Sequence, residues 1–427
     1  MIKSAYYKIK ECRICKSRKL KIIIDLNNQY IQGSFIKKNY PKPYLKKIPL
    51  QLVLCQKCSL VQLLYTTNKE ILYKNYWYES GINKTMRMHL KDLVSNLFSI
   101  KRHEIKKIKV LDIGCNDGTL LNFYPKTVEK FGIDPSQITK KIDKKKIRVI
   151  NDFFPPKKIN LKNLKIKFDL ITSIAMFYDL DNPNLFVKNI NNYLKSDGVW
   201  VFELSYIIDM LKLNSFDTIC HEHLEYYSLT SLSYLMKDNG LKIFKVKKNK
   251  INGGSIRCFV THDKNMMYYQ KENIAYLNRL LKNEKKLKIN STKIYKKFFL
   301  NISKIKIKLK KIIENIKNNN KSIYVLGAST KGNTILQYLD IDNQTIPFAS
   351  ERNKEKFGAK TIGSNIEIIN EDIVKKNPPD YQLVLPWHFK KEIIHREKNY
   401  LKNGGKLIFP LPTIKIITKK NYLKHVK

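Results

Sequence analysis

An α/β architecture follows from this sequence: parallel sheets covered on both faces, with a small cysteine-bound module at the N-terminal side. Three observations predict it. Lys109-Val110-Leu111-Asp112-Ile113 reads as a short apolar strand, Gly114 to Gly118 as a glycine turn, and Thr119-Leu120-Leu121 as the start of a helix. The same order of strand, glycine turn and helix returns at Ser322 to Thr334, through Gly327 and Gly332. Two C-x-x-C pairs, Cys12/Cys15 and Cys55/Cys58, lie ahead of both.

Residues 1–72 carry the cysteine pairs. Each pair reads as a turn between strands, in which two thiolates face one point. Four thiolates close a tetrahedral structural zinc site, able to hold together a module too small for a large core. The site leaves no open coordination position, so a catalytic zinc is not expected. Pro41 and Pro43 place loops in the segment between the pairs. An aromatic stretch, Tyr73 to Gly81 with Tyr76 and Tyr78, follows; a helical pattern then runs from Thr85 to about His103.

The unit over 73–264 is organised around the first glycine turn. Gly114 and Gly118 tolerate positive φ and let backbone approach a ligand. A helix starting near Asp117 would aim free N–H groups at the same spot. Asp134 ends the next apolar run, a spacing that suits a βαβ unit whose acid takes ribose hydroxyls. Further strands are expected at Arg148–Ile150, Phe168–Ile174 and Gly198–Leu204, near-continuous apolar runs typical of a sheet buried on both faces. Leu241–Val246 and Gly254–Val260 look like an antiparallel closing pair. Residues 265–318 contain neither glycine nor proline and read as one or two long helices with a solvated lysine face. Residues 319–427 form the second α/β unit. Its turn makes an anion site at a helix start, with Lys331 adding a charge and Asn333 beside it. It lacks the spacing of an ATP-hydrolysing P-loop.

Composition bounds function. The chain has 427 residues, 43% of them hydrophobic, enough for real cores. No apolar run approaches the roughly 20 residues of a membrane span, and Met1 to Lys8 lacks the apolar core of a signal peptide, so a cytoplasmic protein is expected. The formal net charge of +46 would ordinarily point to nucleic acid. However, lysine is spread through every segment beside abundant Ile and Asn while Arg is scarce, a pattern that AT-rich codons produce. Concentrated Arg and an interleaved basic–aromatic face are missing, which argues against a zinc-containing nucleic-acid binding protein. An anionic small substrate remains favoured.

The glycine turn departs from the nicotinamide fingerprint, because Asn116 holds its middle glycine position. It resembles instead the first two motifs of class I methyltransferases that use S-adenosylmethionine (SAM). That resemblance implies that Asp112 and Gly114 lie beside the methionine end of SAM, with Asn116 and Gly118 in the same turn. It also implies that Asp134 binds the ribose, and that Asp152 and Phe153 read the adenine.

The most unusual stretch is Cys220-His221-Glu222-His223, placed after the fifth strand and so over the carboxyl ends of the sheet. Histidine is suited to proton transfer near neutral pH, and H-E-H lacks the i, i+4 pair of a zincin. With these residues, the four cysteines, Asn252 to Arg257 and Lys331 to Thr334, the whole chain resembles the C-methyltransferases of deoxysugar biosynthesis. Those enzymes join a zinc-binding module, a class I methyltransferase domain with a Rossmann-like sheet, and a C-terminal Rossmann-like domain. They methylate a nucleotide-linked keto-sugar at the carbon beside its ketone. The resemblance implies His223 as base, Glu222 orienting it, and Tyr76 and Tyr78 as donors to the sugar; His221 is the competing base, because alternation along an extended segment would send it to the same side as His223. Two departures stand out: Cys220 replaces a tyrosine, and Tyr178 and Asp179 stand where a histidine is common, which puts Tyr178 among the substrate-binding candidates. An O- or N-methyltransferase, needing no carbon-acid base, is the alternative.

Overall fold

The computed structural model describes residues 4–73, 81, 84–100, 108–156 and 166–426, without the side chains of residues 73, 98, 99, 252 and 426. Tyr76 and Tyr78 lie outside the described residues.

A seven-stranded sheet forms the centre. In spatial order its strands are Leu241–Asn249, Ser255–His262, Leu194–Ser205, Phe168–Ile174, Lys109–Ile113, Glu129–Ile133 and Arg148–Ile150. The last five run parallel, while Ser255–His262 is antiparallel to both its neighbours. This is the class I methyltransferase arrangement. Its inner strands Phe168–Ile174, Lys109–Ile113, Glu129–Ile133 and Ser255–His262 are buried along nearly their whole length, as the continuous apolar runs require.

A second parallel core, Arg-free in its strands, is built from Ile323–Leu326, Phe348–Glu351, Glu367–Asn370, Tyr381–Val384 and Lys406–Phe409. Between the two sheets run two helices, Lys271–Lys286 and Thr292–Asn318. The longer buries Tyr295, Phe298, Ile302, Ile305, Leu309, Ile313 and Ile316, a three-to-four residue stripe. The shorter is anchored by Glu284, fully buried, which accepts from the Tyr206 hydroxyl at 2.6 Å, Leu229 N at 2.7 Å and Thr230 N at 2.8 Å. It thereby caps the Leu229–Asp238 helix from outside.

The N-terminal module is more interwoven than an independent bead. Its strands Leu20–Gln29, Ile48–Cys55 and Val61–Leu63 share a sheet with Glu225–Tyr226, from the stretch just after His223. Its Phe35–Ile36 strand extends the C-terminal sheet by pairing with Lys360–Thr361. The module thus touches both large units and brackets the histidine segment between them. Among the described residues no helix is long and apolar enough to cross a membrane.

Candidate functional site

Four thiols gather at one end of the N-terminal module. The Sγ atoms of Cys12, Cys15, Cys55 and Cys58 lie within 4.8 Å of one another, with Cys12–Cys58 at 3.6 Å and Cys15–Cys55 at 3.4 Å. Disulfides would need about 2 Å, whereas a tetrahedral zinc with ~2.3 Å bonds spaces its sulfurs close to the observed range. The donor set fits structural zinc. Beside it Arg13 is buried and committed: NH1 donates to Leu63 O at 2.8 Å, NH2 to Thr66 Oγ1 at 2.7 Å, and Nε faces Glu225 at 3.5 Å. The knuckle and the strand following His223 are therefore tied by a buried ion pair.

At the carboxyl ends of the parallel strands lies a cavity of about 190 Å³. Its wall brings together Asp112, Gly114, Asn116, Asp134, Asp152 and Phe153, all of the expected cofactor-binding residues except Gly118. Gly118 shapes the turn instead, at φ 75°. Gly114 has φ 76°, and a Cβ there would meet Met176 Cγ at 2.9 Å, so the close approach needs glycine. The helix after the turn is only Thr119–Asn122, shorter than the sequence suggests. Asp134 is held rigidly: Oδ1 accepts from Ser136 N at 2.8 Å, and Oδ2 from Asn116 N at 3.0 Å. Asp112 accepts from Thr172 Oγ1 at 2.6 Å. Burial pushes its pKa up to about 7, opposed by the Thr172 bond and assisted by the Asp134 charge.

His223 lies against this region through Tyr178, the two ring centroids 4.4 Å apart and the planes at 63°. Its Nδ1 donates to the Thr218 carbonyl at 2.8 Å. A carbonyl can only accept, so the proton sits on Nδ1 and the lone pair on Nε2. The orienting partner is thus a backbone carbonyl, where Glu222 was expected. Burial lowers the His223 pKa to about 4, the Thr218 bond opposes this and the Lys331 charge assists it, so the imidazole is neutral in the resting protein. Glu222 packs instead over Gly33 of the N-terminal module, where a Cβ would overlap its Oε1, and burial lifts its pKa to about 7.

His221 is fully buried and points elsewhere. Its Nδ1 lies 2.9 Å from Gln32 Oε1 and its Nε2 3.2 Å from the Ile48 carbonyl, so both ring nitrogens face acceptors of the N-terminal module. Asn333 is committed to the same module, donating to Gln32 O at 2.7 Å. It fixes the loop that lies under the histidine segment. Lys331 turns toward the histidines and away from the cleft at Gly327: it stands within electrostatic reach of Asp217, Cys220, His223 and His388. Asp217, fully buried, accepts from Trp387 Nε1 at 2.9 Å.

Sequence reasoning assigned no role to Arg257, Glu203 and His89. Glu203 accepts from Arg257 Nε at 2.7 Å and Asn249 Nδ2 at 2.9 Å, and meets His89 Nε2 at 2.5 Å. Together they fasten the Lys84–Ile100 helix to the strand ends. Arg257 closes the glycine-containing motif Asn252 to Arg257, the one signal that could have found it.

Three family models match the chain in sequence order. One described as "Putative zinc binding domain" matches residues 12–73, a "Methyltransferase domain" matches 82–246, and a "C-methyltransferase C-terminal domain" matches 250–412. Among curated proteins, the C-methyltransferase NovU of Streptomyces niveus is 25% identical over 424 residues, covering 97% of this chain and 98% of that protein. Solved structures include a SAM-dependent methyltransferase from Clostridium acetobutylicum, with 15% identity and a TM-score of 0.33 over 41% of this chain and 92% of that one. Another is the magnesium protoporphyrin IX methyltransferase of Synechocystis with bound SAH, with 12% identity and a TM-score of 0.33 over 44% of this chain and 90% of that one.

Proposed function

Taking as premise that this chain belongs with the SAM-dependent C-methyltransferases, we propose that its acceptor is a nucleotide-linked keto-sugar, methylated at the carbon beside the ketone. SAM supplies the electrophilic methyl group. The observation that carries the reading is the tautomer of His223: Nδ1 is committed to Thr218, which leaves Nε2 as a base beside the turn that walls the SAM cavity.

A carbon beside a ketone is a weak acid, so it needs a positioned base and groups that receive the enolate charge. Nε2 of His223 takes the proton. With a pKa of about 4 at rest, the imidazole becomes a better proton acceptor once an anionic substrate enters, since a negative charge nearby favours imidazolium. Lys331 offers the positive charge on that side, and Tyr178 fixes the ring plane. Tyr76 and Tyr78 are proposed as donors to the sugar. Asp112, Gly114, Asn116, Asp134, Asp152 and Phe153 hold SAM, with Asp134 on the ribose. His221, Asn333 and Glu222 act by holding the His223 segment against the N-terminal module.

The test is the atom that receives the methyl. Incubation with ¹³C-methyl SAM and a panel of nucleoside-diphosphate keto-sugars, read by NMR, should give a labelled methyl with the chemical shift of a C-methyl group and a long-range proton correlation to the ring. A methyl attached to oxygen or nitrogen would overturn the reading in favour of an enzyme that needs no carbon-acid base.

A further inference from the structure

Asp179 ends a short turn, Phe177–Asp179, just after the strand Phe168–Ile174. It forms part of the wall of the SAM cavity. Its neighbour Tyr178 lies on His223, so this one turn borders both the methyl-donor cavity and the base. Among the described residues no hydrogen bond reaches the Asp179 carboxyl, and its Oδ1 is completely enclosed. An enclosed oxygen without a partner is costly to keep, and a catalytic role is one of the reasons a native fold keeps one.

The surroundings decide its charge. Glu222 and Glu225 face it from the histidine segment and the strand after it, with Cys220 and Tyr226 between them. Arg13 is committed to Glu225 and the N-terminal sheet. In the same cavity wall, Lys69 packs over the Phe153 ring, and Asp112 and Asp134 are the other carboxyls near the turn. Burial first, then the charges of Glu222 and Glu225, hold Asp179 well above the usual carboxylate range. That direction favours the protonated form of the carboxyl.

We propose that the Asp179 carboxyl donates a hydrogen bond to the acceptor's carbonyl oxygen. The proposal rests on the carbon-acid reading above. His223 Nε2 takes the proton, the C–H electron pair moves onto oxygen, and it returns to form the bond to the methyl carbon. The methyl–sulfur bond breaks with its pair left on sulfur, and the Asp179 proton stays on Asp179. A neutral donor suits this role, because an ionised carboxylate would repel the developing enolate.

Two variants test it: Asp179→Asn keeps an N–H donor, and Asp179→Leu removes it. Difference infrared spectra of wild type against Asp179→Asn, taken without substrate at neutral pH, should show the carbonyl stretch of a protonated carboxylic acid. Carbon–hydrogen exchange is then followed in deuterated water without SAM, using the keto-sugar that the wild type methylates. Asp179→Asn should exchange within about tenfold of wild type and Asp179→Leu about 10²–10³-fold slower, both with unchanged SAM affinity. No protonated band, or equal exchange in wild type and Asp179→Leu, removes the proposal alone. Loss of SAM affinity in Asp179→Asn would assign the carboxyl to the methyl donor instead. No exchange in wild type removes the carbon-acid reading and this proposal together.

Discussion

Asp112 makes the SAM site pH-dependent in a way that can be worked out in advance. Its carboxyl lies near the end of the Lys109–Ile113 strand and is 3% exposed, with one hydroxyl donor, Thr172, at 2.6 Å. Burial raises its pKa to about 7. SAM carries an ammonium and a sulfonium, and if its methionine end rests on Asp112, binding selects the carboxylate. The apparent affinity then scales with the ionised fraction. Between about pH 7 and about pH 5 the dissociation constant should rise roughly fiftyfold, about 2.3 kcal/mol. Stability of the ligand-free protein responds in the opposite direction. A carboxyl whose folded pKa is raised stabilises the fold below its ordinary value, and that contribution is lost as pH rises through about 7. Calorimetric titration of SAM across this range is the assay, with Asp112→Asn as control. The variant should bind weakly and with little pH dependence. A wild-type affinity that stays constant over the range, or an Asp112→Asn slope equal to wild type, would refute the reasoning.

The remaining expectations concern the scaffold. Protein purified without chelator should contain one zinc per chain by elemental analysis. Cys12→Ser should lower the melting temperature and lose the metal while SAM affinity persists, because the thiols cluster in the N-terminal module, away from the SAM cavity. Metal-free protein with unchanged melting would count against a structural zinc. Glu284→Ala leaves the donors on Tyr206, Leu229 and Thr230 without their acceptor and should cost about 3 kcal/mol in urea unfolding. A loss under about 0.5 kcal/mol would mean that the helix cap is dispensable.

Much of the frame was legible before any coordinates. Phe168–Ile174 forms a strand over the residues expected, because a strand buried on both faces leaves an uninterrupted apolar run, and the half-buried edge strand Arg148–Ile150 also falls where expected. Gly114 announced itself through a backbone need that only glycine meets cheaply, and the cysteine pairs through spacing. Two-residue strands such as Phe35–Ile36 and Glu225–Tyr226 carry no periodicity, so the weaving of the N-terminal module into both sheets was hidden. The His223 tautomer was hidden for a related reason: its partner is the Thr218 carbonyl, and every residue has one. His221 and His223 look equivalent in the chain. Only the tertiary contacts of Gln32 and Ile48 separate a ring whose two nitrogens face acceptors from one with an available nitrogen. Asp179 shows the same limit, since its charge depends on neighbours brought from distant segments.

The most direct test of the account is whether His223 removes a proton from carbon. Wild-type enzyme, supplied with its keto-sugar acceptor in deuterated water and no SAM, should wash deuterium into the position it methylates. His223→Ala should lose about 10²–10⁴-fold in that exchange while binding SAM as wild type does. Methylation that proceeds with no exchange in wild type, or exchange that survives intact in His223→Ala, would contradict it.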